Sequence, residues 1–282
     1  MQSCTLTVSS DLYLDPVEAK ALGSLLQETF HSTPPFPHIV LEDFLPPDVL
    51  QRALNGFPAE RLKSDGVFEI GYAGHFKRQI MPEDCGPEAR ELFWFFNSRP
   101  VLQFLEGLTG IQGLLPDPYF MGGGYHETTK GGLLGVHADF RVHDQLRLQR
   151  RLNMIIYLNP EWKDEWEGHL ELWSRDMKTC VSKVAPILNR CVVFQTDADT
   201  WHGHPEALNT PEGVTRRSIA LYYYTASKAI YEEVPANGTV YVGRPTDKPE
   251  VQREASKLRN WERIRDWLPP IVYRKLSRFR YR

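Results

Sequence analysis

The sequence has no run approaching about 18 consecutive apolar residues, so no segment reads as a membrane-spanning helix. Its opening, Met1-Gln2-Ser3-Cys4, lacks the basic start and apolar stretch of a secretory signal, and the expectation is a soluble, cytoplasmic protein. Cysteine is scarce: Cys4, Cys85, Cys180 and Cys191 are scattered without a C-x-x-C pair. That spacing suggests neither a disulfide framework nor a thiolate zinc site, and the four read as ordinary thiols. Internal repeats and low-complexity tracts are missing, which removes solenoids and collagen-like chains. Excess charge of either sign is small, a formal net charge of −3, and argues against a nucleic-acid partner for the chain as a whole. The exception is the stretch from Arg253 to Arg282, where basic residues far outnumber acidic ones.

What is present suits a globular core. Of the 282 residues, 41% are hydrophobic and 24% charged, close to the average of folded domains. Pro16 to Phe30 has helical spacing, with Ala19, Leu22, Leu25, Leu26 and Phe30 near one face and Asp15-Pro16 as N-cap and first-turn proline. Phe36 to Leu41 reads as a short strand. Helices are expected from an opening Pro46-Pro47-Asp48 to about Asn55, from Pro87 to Phe96 and from Pro100 to Leu108. Beyond Pro116 short β-rich runs take over: Tyr119 to Glu127, Leu152 to Leu158, His169 to Trp173, Cys191 to Thr196 and Ser218 to Thr225. Such a series favours a sandwich or barrel. The expectation is a mainly β fold with flanking helices, divided into an N-terminal helical extension (1–35), a β-rich domain (36–228) and a connector with a basic helical tail (229–282).

His137-Ala138-Asp139 puts two metal-capable side chains on one side of an extended segment. Far along the chain, Trp201-His202-Gly203-His204-Pro205 follows the apolar strand Cys191 to Phe194, and a rolled sheet can bring it beside the first motif. Two imidazoles and a carboxylate make a facial triad with three positions left open, the donor set of non-haem Fe(II) oxygenases. The same donors could hold zinc or manganese. His202 and His204 share a face, so alternation does not choose between them. In Thr215 to Tyr222 the even positions Arg216, Ser218, Ala220 and Tyr222 share a face. An arginine there can clamp a buried carboxylate through parallel charge-assisted bonds, with Ser218 adding a donor, while Arg217 points the other way.

The ordered set of His137-Ala138-Asp139, Ile156-Tyr157-Leu158-Asn159-Pro160-Glu161-Trp162, Glu167-Gly168-His169-Leu170-Glu171-Leu172, His202 and Arg216-Arg217-Ser218 resembles the prolyl-hydroxylase-like branch of the 2-oxoglutarate/Fe(II) dioxygenases, over about Phe36 to Thr225. The resemblance implies a double-stranded β-helix, a distorted jelly roll with helices on one face. It implies iron on His137, Asp139 and His202, and 2-oxoglutarate held through its distal carboxylate by Arg216, with Ser218, Tyr157 and Tyr125 as further contacts. His202 is chosen over His204 on the family's register, which leaves His204 beside the substrate or the metal ligands. The implied reaction consumes 2-oxoglutarate and O₂, releases succinate and CO₂ and hydroxylates an organic substrate, with ascorbate able to serve as reductant. Asp139 argues against a halogenase, where that carboxylate is replaced. Two departures stand out: Gly168-His169 replaces the usual Gly-Gly, and His204 adds a second histidine to the distal motif.

Two other readings compete: a metal-dependent cupin-like hydrolase or isomerase, which leaves Arg216 unexplained, and an inactive binding module on the same fold. The substrate, a small metabolite, amino acid or peptidyl residue, is not legible, nor is the oligomeric state. Between the H-x-D motif and the Tyr157 strand, Phe140 to Arg151 carries four arginines. Leaving from the rim of the site, it is expected to cover the substrate, with Arg141 and Arg147 favouring an anionic one. In the tail, Leu258, Trp261, Ile264, Trp267 and Leu268 are expected on one apolar face, and removal of Lys275 to Arg282 is expected to leave turnover unaffected.

Overall fold

The computed structural model describes residues 2–60, 66–68, 71–226 and 240–265. Helix α1 (Pro16–Ser32) starts where the sequence places it. Asp15 accepts from the backbone N–H groups of Val17 and Glu18, satisfying two donors that have no partner inside the helix. Ala19, Leu26 and Phe30 are buried, but Leu25 is 81% exposed and lies off the expected apolar face. Helices α2 (Pro47–Asn55), α3 (Pro87–Phe96) and α4 (Arg99–Thr109) follow as read, each with a proline in its first turn. α1 and α4 cross at close range. A Cβ on Gly23 would lie 2.1 Å from the Phe104 carbonyl oxygen, and one on Gly107 2.3 Å from that of Lys20.

The strands are β1 (Gln2–Ser3), β2 (His38–Glu42), β3 (Gly66–Phe68), β4 (His75–Ile80), β5 (Leu115–Pro116), β6 (Gly124–Ala138) and β7 (Gln149–Tyr157). They continue with β8 (Leu170–Trp173), β9 (Cys180–Val184), β10 (Cys191–Gln195), β11 (His202–His204), β12 (Arg216–Thr225) and β13 (Val240–Tyr241). The path β1-β2-β10-β7-β12-β6-β11-β8-β9 curls so that the long β6 belongs to both halves, the jelly roll that the resemblance implies. The sheet also draws strands from beyond the 36–228 segment: β1 pairs with β2, and β13 pairs with β6 at Ala138 and His137.

Two faces of the larger half-sheet explain the apolar pattern. Leu152, Met154 and Ile156 of β7, Cys191 and Val193 of β10, and Ile219, Leu221 and Tyr223 of β12 pack under the helices in the main core. The alternate residues Tyr157, Val192 and Phe194 turn inward with Leu170 and Leu172 of the smaller half and form an apolar cluster inside the roll, where Phe194 packs on His202. Helix α5 (Pro249–Arg265) packs beside β13. Leu258 on it is half-buried, the side chains of Trp261 and Ile264 are not described, and Trp267, Leu268 and the segment Lys275 to Arg282 lie outside the described residues.

Candidate active site

His137 stands near the end of β6, Asp139 just past it, and His202 opens β11, whose pairing sets His202 opposite His137. The two rings are 4.6 Å apart, and Asp139 Oδ1 and Oδ2 lie 3.7 Å and 3.4 Å from the Nε2 atoms of His137 and His202. Each imidazole has its Nδ1 against a backbone carbonyl, His137 on Gly135 at 2.7 Å and His202 on Thr200 at 3.0 Å. That contact places the proton on Nδ1 and leaves Nε2 as a lone pair aimed at the centre. One ligand atom from each residue lies within 4.8 Å of the others, and among the described residues this is the one such group. Burial, with His202 beside it, pushes His137 down to about 3, so its ring is neutral. Burial works against the Asp139 carboxylate, yet Arg150 and the two histidines outweigh it and hold its pKa well below the ordinary range. Two imidazole nitrogens and a carboxylate oxygen are the donor set of a facial Fe(II) site, and the residues fit the metal.

Asp139 is held in turn. Arg150 Nη2 lies 3.1 Å from its Oδ2, and Asn153 Nδ2 donates to the same oxygen at 2.8 Å. Arg150 also donates to Asn153 Oδ1 and stacks over Tyr222, 3.5 Å from the ring centroid. The sequence reading counted Arg150 among the loop arginines and missed this role. Tyr241 of β13, also missed, lies against His137 with centroids 5.4 Å apart, its hydroxyl donating to the Ala73 carbonyl.

Arg216 is buried at 6% exposure, donating to the Gly168 carbonyl at 2.7 Å and the Tyr157 hydroxyl at 3.3 Å. Ser218 is buried on the same face of β12, and Arg217 turns outward to Glu127 over Phe57, as alternation expects. Across β12, β6 and β4, Arg216, Thr128 and Lys77 stand side by side. Burial, with Arg216 beside it, pushes Lys77 down to about 8. Two candidates fall elsewhere. Tyr125 pairs with Ile219 on the core face, packs between Phe57 and Phe93, and donates to the Ala53 carbonyl, so it does not reach the interior. Arg141 is engaged with Asp197 at 3.5 Å and Arg150 is turned onto Asp139, so two of the four arginines expected at the mouth are paired with acids. Arg147 is half-buried with a positive φ of 56°, and its side chain has no hydrogen-bond or ion-pair partner among the described residues. His143 is a rivet of this loop: its Nε2 lies 3.2 Å from Asp117, and its Nδ1 accepts from Gln145 and Leu146 N–H.

Residues 123–224 match the family model described as the 2OG-Fe(II) oxygenase superfamily. A prolyl 3-hydroxylase, OGFOD1 of Mus musculus, is 32% identical over 89 residues, 30% of this chain, and the matched region spans only 16% of that relative. Among solved structures, a Trichoplax adhaerens prolyl hydroxylase in complex with a hypoxia-inducible-factor peptide fragment is similar at a TM-score of 0.49 and 18% identity, covering 74% of this chain and 91% of that one. HygX of Streptomyces hygroscopicus, bound to nickel, 2-oxoglutarate and hygromycin B, is similar at 0.48 and 12%, covering 72% and 87%.

Proposed function

We infer that this chain, whose residues 123–224 match the 2OG-Fe(II) oxygenase superfamily model, is a prolyl-hydroxylase-like dioxygenase that uses Fe(II) and 2-oxoglutarate to hydroxylate an organic substrate. The observation that carries this is the convergence of His137, Asp139 and His202 at one level of the interior with Arg216 and Tyr157 buried deeper in the same roll. When bound, iron(II) and 2-oxoglutarate supply, with O₂, the oxidising power for C–H hydroxylation, 2-oxoglutarate leaving as succinate and CO₂.

The chain's own residues do the rest. Nδ1 contacts to Gly135 and Thr200 lock the two imidazoles as Nε2 donors before any metal arrives. Arg150 and Asn153 hold Asp139 through Oδ2 and so fix the orientation of the carboxylate that would bind the metal. Arg216, with its guanidinium already oriented by Gly168 and Tyr157, offers a desolvated partner for a carboxylate. The buried apolar cluster of Leu170, Leu172, Val192 and Phe194 keeps water from that side of the site.

For the substrate, a peptidyl prolyl residue is the first to assay, because the curated relative is named a prolyl 3-hydroxylase. Lys77, on the interior wall beside the Arg216 that takes the cosubstrate, supports a preference for a substrate with a negative group. Arg141, paired with Asp197, contributes less to that preference. The test of the dioxygenase reading is anaerobic addition of Fe(II) and 2-oxoglutarate. A visible charge-transfer absorption is expected, and a protein that binds the metal without it, or prefers zinc, is a hydrolase or a binding module instead.

A further inference from the structure

Most buried polar side chains in a folded protein have a hydrogen-bond partner, and each one without is a question about what belongs beside it. His204 poses that question. It is buried at 3% exposure, yet its Nδ1 has no partner, whereas His137 and His202 both have theirs on backbone carbonyls.

Its position is set by the strands. His202 and His204 are alternate residues of β11, and alternate residues share a face about 6.5–7 Å apart along the strand. That is close to the length of a five-carbon dicarboxylate from its chelating end to its far carboxylate. On the neighbouring strand, His202 pairs with Leu172 and Gly203 with Glu171, a register that carries His204 toward Leu170. Leu170 is two residues from Gly168, whose carbonyl holds the Arg216 guanidinium. His204 therefore lies one strand step from the metal ligand, on the side toward the arginine.

Resting on the dioxygenase reading above, we propose that His204 is a third contact for the distal carboxylate of 2-oxoglutarate, its Nδ1–H donating to the oxygen that Arg216 and the Tyr157 hydroxyl approach from the other wall. A carboxylate accepts only, so the bound state selects the Nδ1–H tautomer. The residue is then neither the iron ligand nor a substrate contact.

The test is calorimetric titration of anaerobic Mn(II)-loaded protein with 2-oxoglutarate and with 2-oxovalerate, which keeps the chelating end and lacks the distal carboxylate. His204→Leu is expected to weaken 2-oxoglutarate by about 10–100-fold, the range of a lost hydrogen bond to a charged group. It should leave 2-oxovalerate and Mn(II) affinities unchanged. His204→Asn, whose amide can stand in for the Nδ1–H, should recover part of the loss. Equal weakening of both oxo acids, or none of 2-oxoglutarate, overturns the proposal, as does loss of Mn(II) in His204→Leu with retention in His202→Ala. Wild-type protein that binds Mn(II) but neither oxo acid removes the dioxygenase reading itself, and this proposal with it.

Discussion

Arg150 and Asp139 form a buried ion pair at 3.1 Å, the arginine only 2% exposed and the carboxylate one of the three metal-capable groups. The pair fixes Oδ2, which also lies 3.4 Å from His202 Nε2, and thereby sets how the carboxylate is turned between the two histidines. Arg150→Ala should lower metal affinity or turnover by about 10–100-fold, the usual cost of removing a group that orients a ligand. Arg150→Lys should recover little, because an ammonium cannot keep both the Asn153 contacts and the stack on Tyr222. Mn(II) titration of the variants checks this, and wild-type affinity in Arg150→Ala would make the pair structural.

Arg216→Ala should cost about 3–5 kcal/mol of 2-oxoglutarate binding, the usual loss when one partner of a desolvated ion pair is removed. Tyr157→Phe removes one weaker bond and should cost about 1 kcal/mol. Arg217→Ala should leave the affinity unchanged, since that side chain is committed to Glu127 on the opposite face. Competition binding against 2-oxoglutarate separates the three; a loss at Arg217 equal to that at Arg216 would refute the assignment.

At the α1 and α4 crossing, Gly23→Ala or Gly107→Ala should destabilise the protein by about 1–3 kcal/mol or more, because the added methyl meets backbone that cannot give way. Urea denaturation measures it. The double variant should lose less than the sum if the helices separate once for both.

Acid should destabilise the metal-free protein through imidazoles held neutral in the fold. His38 is lowered mainly by burial, and His126 by burial and then by Lys77. In the unfolded chain both titrate near pH 6.5, above their folded values. Below that pH unfolding takes up protons, so stability falls as pH drops, by at most about 1.4 kcal/mol per pH unit per group. Denaturation at pH 7.5, 6.5 and 5.5 should show a shallower slope in His38→Gln and His126→Gln; an unchanged slope assigns the effect elsewhere.

How much the sequence decided follows from what strand periodicity can and cannot carry. Alternation by itself put His137 with Asp139, Arg216 with Ser218, and Arg217 on the other side, because side chains on a regular strand change face at every residue. The proline and Asp15 signals set the helix starts, which depend on neighbours in sequence. Two things needed the fold. Tyr125 was drawn to the cosubstrate by family register, and only its pairing with Ile219 shows that it belongs to the core face beneath the helices. Arg150 and Arg151 were equivalent loop arginines in the sequence. The irregularity opposite Tyr223 and Tyr224 pairs β12 with Leu152 and then Arg150, passing over Arg151. One extra residue in a strand reverses the face of everything beyond it. That bulge turns Arg150 inward onto Asp139 and leaves Arg151 to Thr225, a choice made by the partner strand and absent from the local sequence.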